Sequence, residues 1–142
     1  MPIFTGQSRE QLRRLYLQAW GKYRARLPLE PLEAQIAAVI AEHPEYASLL
    51  ESSQALTADY SPEGGGANPF LHMSLHLALR EQVATDRPPG IAHIHAALTQ
   101  RLGESHAAEH AMLEPLAEVL WQSQRSGAAP DEQRYLERLR GL

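Results

Sequence analysis

Two pairs of histidines in this 142-residue chain share one spacing: His72 with His76, and His106 with His110. On a helix, residues four apart lie one turn above each other and roughly 40° apart around the axis. Neutral imidazole is a ligand for zinc, iron, copper and nickel, so each pair offers two donors to one divalent transition metal. Glu109 stands beside the second pair and can add a carboxylate. The candidate metal ligands are therefore His72, His76, His106, His110 and Glu109. The same groups could instead exchange protons as a metal-free His–Glu pair, or bond one another as a buried polar network. His106-Ala-Ala-Glu109-His110 places its glutamate one position away from the His-Glu-x-x-His order of a zinc protease. The Glu-x-x-His spacing of a dinuclear bundle site has no inward-facing counterpart, so a mononuclear site is the better fit.

These side chains must be positioned by helices. Asn68 followed by Pro69 is a helix start, with a side-chain cap and a proline in the first turn, and the pattern carries to about Thr85. His72 and His76 project onto the same arc as Leu75, Leu79 and Val83, which is the apolar face. Asp86-Arg87-Pro88-Pro89-Gly90 reads as a turn, and Ile91, Ile94, Leu98 and Leu102 give an amphipathic helix stopped by Gly103. A long helix from about Glu104 to Arg125 follows, with a kink expected at Pro115. Its arc through Leu113, Ala117, Leu120 and Trp121 contains His106 and His110, so this pair too is expected to face the core. If the helix between them is antiparallel to both, the two pairs sit at one level of the bundle. His93 and His95 then belong to its opposite end, outside the site. Arg80 borders the His76 face and could hold a carboxylate behind the ligands.

The rest of the chain is also helical in pattern. Ser8 and Gln11 form a capping box, and Leu12, Leu15, Tyr16, Ala19, Trp20 and Tyr23 then make one buried stripe. Arg9, Arg13, Arg14, Lys22, Arg24 and Arg26 crowd the remaining surface, which reads as a solvated face balanced by the acidic remainder. Leu27-Pro28 ends that helix. A second begins at Pro31 and stops at His43-Pro44, where His43 reads as a cap, and a short one covers Glu45 to Glu51. Residues 52–67 lack periodicity and contain Gly64-Gly65-Gly66. They are a connector, or else a cover carrying Asp59, Tyr60 and Glu63 over the histidine helix. Asp131 and Glu132 open a last short helix with Tyr135, Leu136 and Leu139. The expected fold is all-α, an up-and-down helical bundle with peripheral short helices, formed by residues 1–142 as a single helical domain.

Composition narrows the function classes. A net charge of −4 gives no global attraction to nucleic acid or anionic membrane. No cysteine is present, so thiolate ligands are excluded and a cytoplasmic location is expected. No organic cofactor motif is found, and Gly64–Gly66 lacks the lysine and preceding strand of a phosphate loop. A homo-oligomer or protein partner would meet the chain through its first helix.

The phrases HPEY (His43 to Tyr46), NPFLHMSLHLALREQ (Asn68 to Gln82), RPPGI (Arg87 to Ile91) and HAAEHAMLEPLAEVLWQSQR (His106 to Arg125) resemble those of a small bacterial family known only as a domain of unknown function. The resemblance spans nearly the whole chain. It implies a stand-alone bacterial protein and transfers no catalytic role. The residues themselves leave three functions open. These are a metal-dependent hydrolase or transferase, a non-enzymatic interaction module with structural histidines, and metal-free acid–base catalysis.

Overall fold

A computed structural model describes residues 9–51 and 68–142 of the protein. The capping box at Ser8, and residues 52–67 with Asp59, Tyr60 and Glu63, lie outside the described residues. The elements are α1 (Arg9–Arg24), α2 (Pro31–Ala41), α3 (Pro44–Leu50), α4 (Pro69–Thr85), α5 (Ile91–Leu102), α6 (Ser105–Ser126) and α7 (Glu132–Arg140). The fold is all-α, with no strand among the described residues. The chain divides into two compact units, Pro2–Leu77 and Ala78–Leu142, each with its own packing.

In the first unit α1 packs on α2, and α3 packs on both. Tyr16, Ala19, Ile36, Val39, Ile40, Phe70, Met73 and Leu77 form its core. Burying side chains of this size contributes about 1.5–3 kcal/mol each. The helix boundaries have identifiable chemistry. Asn68 Oδ1 accepts from the backbone N–H groups of Phe70 and Leu71, which is the cap expected of it. Helix α1 ends in a different way from the proline stop at Leu27-Pro28. Arg26 adopts a left-handed conformation (φ 58°), and the Leu27 N–H reaches back to the Lys22 carbonyl. This is the closing turn usually built on glycine.

The basic face of α1 divides into two groups. Arg14 pairs with Glu10, Lys22 with Glu33 and Arg24 with Glu51, so much of it is neutralised locally. Arg13 does not belong to that surface. It is buried, and its guanidinium carbon lies 4.9 Å from the centre of the Phe70 ring. A delocalised cation over an aromatic face keeps part of the stabilisation it loses with water. The apolar stripe is shorter than its spacing suggests, because Tyr23 is exposed and stacks on Trp20 with ring centres 5.3 Å apart.

In the second unit α5 packs on α6, and α7 packs on both. The link between α5 and α6 is so short that the two must run antiparallel. Met112, Leu116, Val119, Ile91, Leu98 and Leu139 are buried here. Pro115 lies inside α6 and deprives the Ala111 carbonyl of its helical donor, yet the helix continues to Ser126. The Tyr135 hydroxyl donates to Gln82 Oε1 at 2.8 Å, a buried bond between α7 and α4. Burial pushes the Tyr135 phenol well above its ordinary range, and the Tyr16 phenol likewise despite its bond with Ser74. Both therefore stay neutral hydrogen-bonding groups.

Glu33 links helix initiation to pH. Its carboxylate accepts from the Glu30 backbone N–H at the start of α2 and from Lys22 of α1. The backbone bond, with Lys22 adding to it, holds the carboxyl below the ordinary carboxylate range. A depressed folded-state pKa means that the stabilisation is complete above the ordinary carboxylate range. It is lost as acid protonates the group below that range. We expect the wild-type melting temperature to fall more steeply with acidification than that of Glu33→Gln. Thermal melts across that pH range should show the two curves converging at the acid end.

Candidate functional site

The first unit gathers three imidazoles. His72 and His76 rise one turn apart on α4, with ring centres 4.8 Å apart and Nε2 atoms 3.2 Å apart. The third is His43, at the junction of α2 and α3. Its ring centre lies 4.7 Å from that of His76 and 5.1 Å from that of His72. His43 is only 2% exposed and His76 is fully buried, so the inward projection of α4 holds for His76. His72 is half-buried.

His43 does more than cap a helix boundary. Its backbone does begin α3, with the carbonyl accepting from the Tyr46 N–H. Its ring turns inward instead of lying at the surface, and Nδ1 bonds the Val39 carbonyl at 2.7 Å. That carbonyl accepts a proton, so Nδ1 carries the hydrogen and Nε2 holds the lone pair. Tyr46 stacks on His43 with planes 11° apart and meets the His72 ring edge-on, closing one side of the trio. The signal available in the sequence was Pro44. A proline in the first turn of α3 forces a sharp junction, and the residue preceding it is held out of helical geometry.

The second unit holds the other pair. The rings of His106 and His110 have centres 4.4 Å apart on α6. The expectation that both face the core is corrected here, because His106 is half-buried and His110 exposed. The buried face of α6 is Ala108, Glu109, Met112, Leu113, Pro115, Leu116 and Val119. That stripe is rotated by roughly 100° from the arc through the histidines, which therefore sit at its edge. Trp121, on the projected arc, is 54% exposed and carries Arg125 over its ring at 4.7 Å.

Glu109 is on the buried stripe, 5% exposed, and both of its oxygens accept from Arg80 Nε, at 3.2 and 3.0 Å. Leu79, Arg80, Val83, Ala84, His95 and Glu109 line a pocket of about 150 Å³. His95 thus lies beside Glu109, not at the far end of the bundle. Helix α5 is only 12 residues long, so its middle is level with the first turns of α6. The 3.3 Å approach of His95 Nε2 to Ser105 Oγ marks the same level.

The Arg80–Glu109 pair is largely withdrawn from water on the carboxylate side. Removing one member of such a pair leaves the other charge poorly solvated. We expect Arg80→Gln to cost about 2 kcal/mol of unfolding free energy, after allowance for the partly exposed guanidinium. Glu109→Gln alone should cost less, and the double variant less than the sum of the two single ones. Urea unfolding of the four proteins gives the coupling energy, and strict additivity would remove the pair from this account.

No helix among the described residues is long and apolar enough to cross a membrane. Comparison with known proteins gives no match among curated proteins and none among solved structures. A family model does match, over residues 8–141, and its description is a domain of unknown function, DUF1841. Because the match takes in every histidine and all seven helices among the described residues, this chain belongs to the DUF1841 family.

Proposed function

We propose that the first unit of this protein binds a transition-metal ion on its buried histidines, His43 and His76, with His72 held against them. The observation that carries the reading is the way the buried imidazoles are held. His43 gives its Nδ1 hydrogen to the Val39 carbonyl, leaving Nε2 as the donor nitrogen. His76 has Nε2 engaged with His72, which leaves Nδ1 as its second nitrogen. A ligand imidazole with its other nitrogen fixed by a carbonyl or a second side chain is the usual arrangement around protein-bound metals. His72 accordingly acts behind His76. An all-nitrogen donor set in a chain without cysteine suits zinc, iron or nickel. The half-buried side of the trio, at His72, is where a metal-bound water would meet a substrate if the site serves a hydrolase or transferase. The cysteine-free composition fits a bacterial cytoplasmic setting.

A second reading has its own support. The His72–His76 bond can be an end in itself, as part of a structural polar network in a non-enzymatic interaction module. Exposed Trp121 and the exposed Tyr23 of α1 would then serve a protein partner or a second copy of the chain.

Elemental analysis of protein purified without a histidine tag separates the two. The metal reading expects about one equivalent of zinc, iron or nickel, reduced at least tenfold in His76→Ala and in the half-buried variant His72→Ala. His93→Ala should keep the full complement. Protons compete for the same nitrogens, so metal occupancy should fall as the pH is lowered below neutrality. If neither the purified protein nor protein titrated with zinc, nickel or cobalt binds a stoichiometric ion, the structural reading stands.

A further inference from the structure

Several basic side chains of this protein are spent on carboxylates. Arg14, Arg24, Arg80 and Arg138 each pair with a glutamate, as does Lys22. In the second unit, two further arginines border one cavity. Arg101 and Arg140, with His93, line a pocket of about 290 Å³ between α5 and α7. Among the described residues Arg140 and His93 have no carboxylate partner, and Arg101 donates to the terminal oxygen of Leu142, the last residue of the sequence. No acidic side chain lines the pocket. Its floor is apolar, formed by Ile94, Leu98 and Leu139.

Three features together specify a ligand class. First, the chain carries a net charge of −4, so a pocket lined by two arginines and a histidine, with no acidic side chain, is a local concentration of positive potential. Second, the cations are placed to converge. His93, Ala97 and Arg101 follow one face of α5 at steps of four residues, and Arg140 approaches from the end of α7. The Arg140 Nη2 lies 3.8 Å from the position a Cβ would take on Gly90, so its guanidinium reaches to the start of α5. Third, the guanidinium of Arg101 already donates to the terminal oxygen of Leu142, and the head group of a ligand would take that oxygen's place.

We propose that this pocket is a binding site for a small organic anion with an apolar body, its carboxylate or phosphate held by Arg101 and Arg140. The apolar body rests on Ile94, Leu98 and Leu139. The volume admits a molecule of roughly 10–15 non-hydrogen atoms and excludes a polymer, which would have no continuing groove. The site is separate from the histidines proposed to hold metal, and it neither requires nor predicts a metal.

Titration of the ¹⁵N-labelled full chain tests it, with hexanoate, phenyl phosphate and hexanol as probes. At least one anion is expected to give saturable shifts confined to the amides of residues 90–101 and 139–142. Hexanol, which has the apolar body without the charge, should bind at least tenfold more weakly. Which anion binds tighter tells whether the site favours a carboxylate or a phosphate head. The double variant R101Q/R140Q, altered only at exposed positions, should lose the site by tenfold or more with an unchanged fold as judged by its other amide shifts. Absence of saturable shifts with both anions, equal binding of hexanol, or undiminished anion affinity in the double variant would overturn the proposal.

Discussion

A polar group taken into a protein interior must find a partner there, and α4 takes in four of them. Ser74 bonds Tyr16 of α1, His76 bonds His72 on its own helix, Arg80 bonds Glu109 of α6, and Gln82 accepts from Tyr135 of α7. Leaving any one unsatisfied would cost about 1–3 kcal/mol, a large share of the stability of a domain this size. His76 and Arg80 share one face of the helix, and Ser74 and Gln82 point elsewhere around it. Together they fix its rotation more sharply than apolar burial could, because Leu, Met and Phe are present on most of its faces. The constraint that sets α4 in place is therefore directional bonding, and the histidines inherit their orientation from it.

This explains what could be read from the sequence and what could not. The bounds of α4 were legible because Asn68, Pro69 and the Asp86–Gly90 turn act through local backbone chemistry. The same holds for the proline starts of α2 and α3 and for the glycine ends of α5 and α6. Which face of a helix goes inward is a tertiary matter. On α6 two apolar stripes compete, one through Ala117, Leu120 and Trp121 and one through Met112, Leu116 and Val119, and the second wins, with Leu113 buried at the edge between them. Periodicity weighs them almost equally, since it counts apolar residues without knowing which neighbour is present. Trp121 loses because an indole can be covered at the surface by Arg125.

Arg13 makes the same point from the opposite side. Charge alone puts it on the solvated face of α1, with Arg14. Helical phase puts it one residue from Leu12 and three from Tyr16, within reach of the core. The structure follows phase, and Phe70 supplies the face that makes a buried guanidinium tolerable. Neighbouring basic residues on one helix thus have opposite environments, and only the three-dimensional partner separates them.

The histidine trio extends the argument to function. His72 and His76 announce themselves by spacing, but His43 is about 30 residues away in sequence and carries no pattern of its own. It reaches the pair because Pro44 ends α2 abruptly and the ring must do something with the last-turn carbonyls it leaves behind. Bonding Val39 satisfies one of those carbonyls and at the same time selects the tautomer that leaves Nε2 basic. A helix-terminus requirement and a ligand requirement are met by a single hydrogen bond. A site made this way is built from the same interaction that ends the helix, so a change that frees the ring from Val39 would disturb local structure and donor chemistry together.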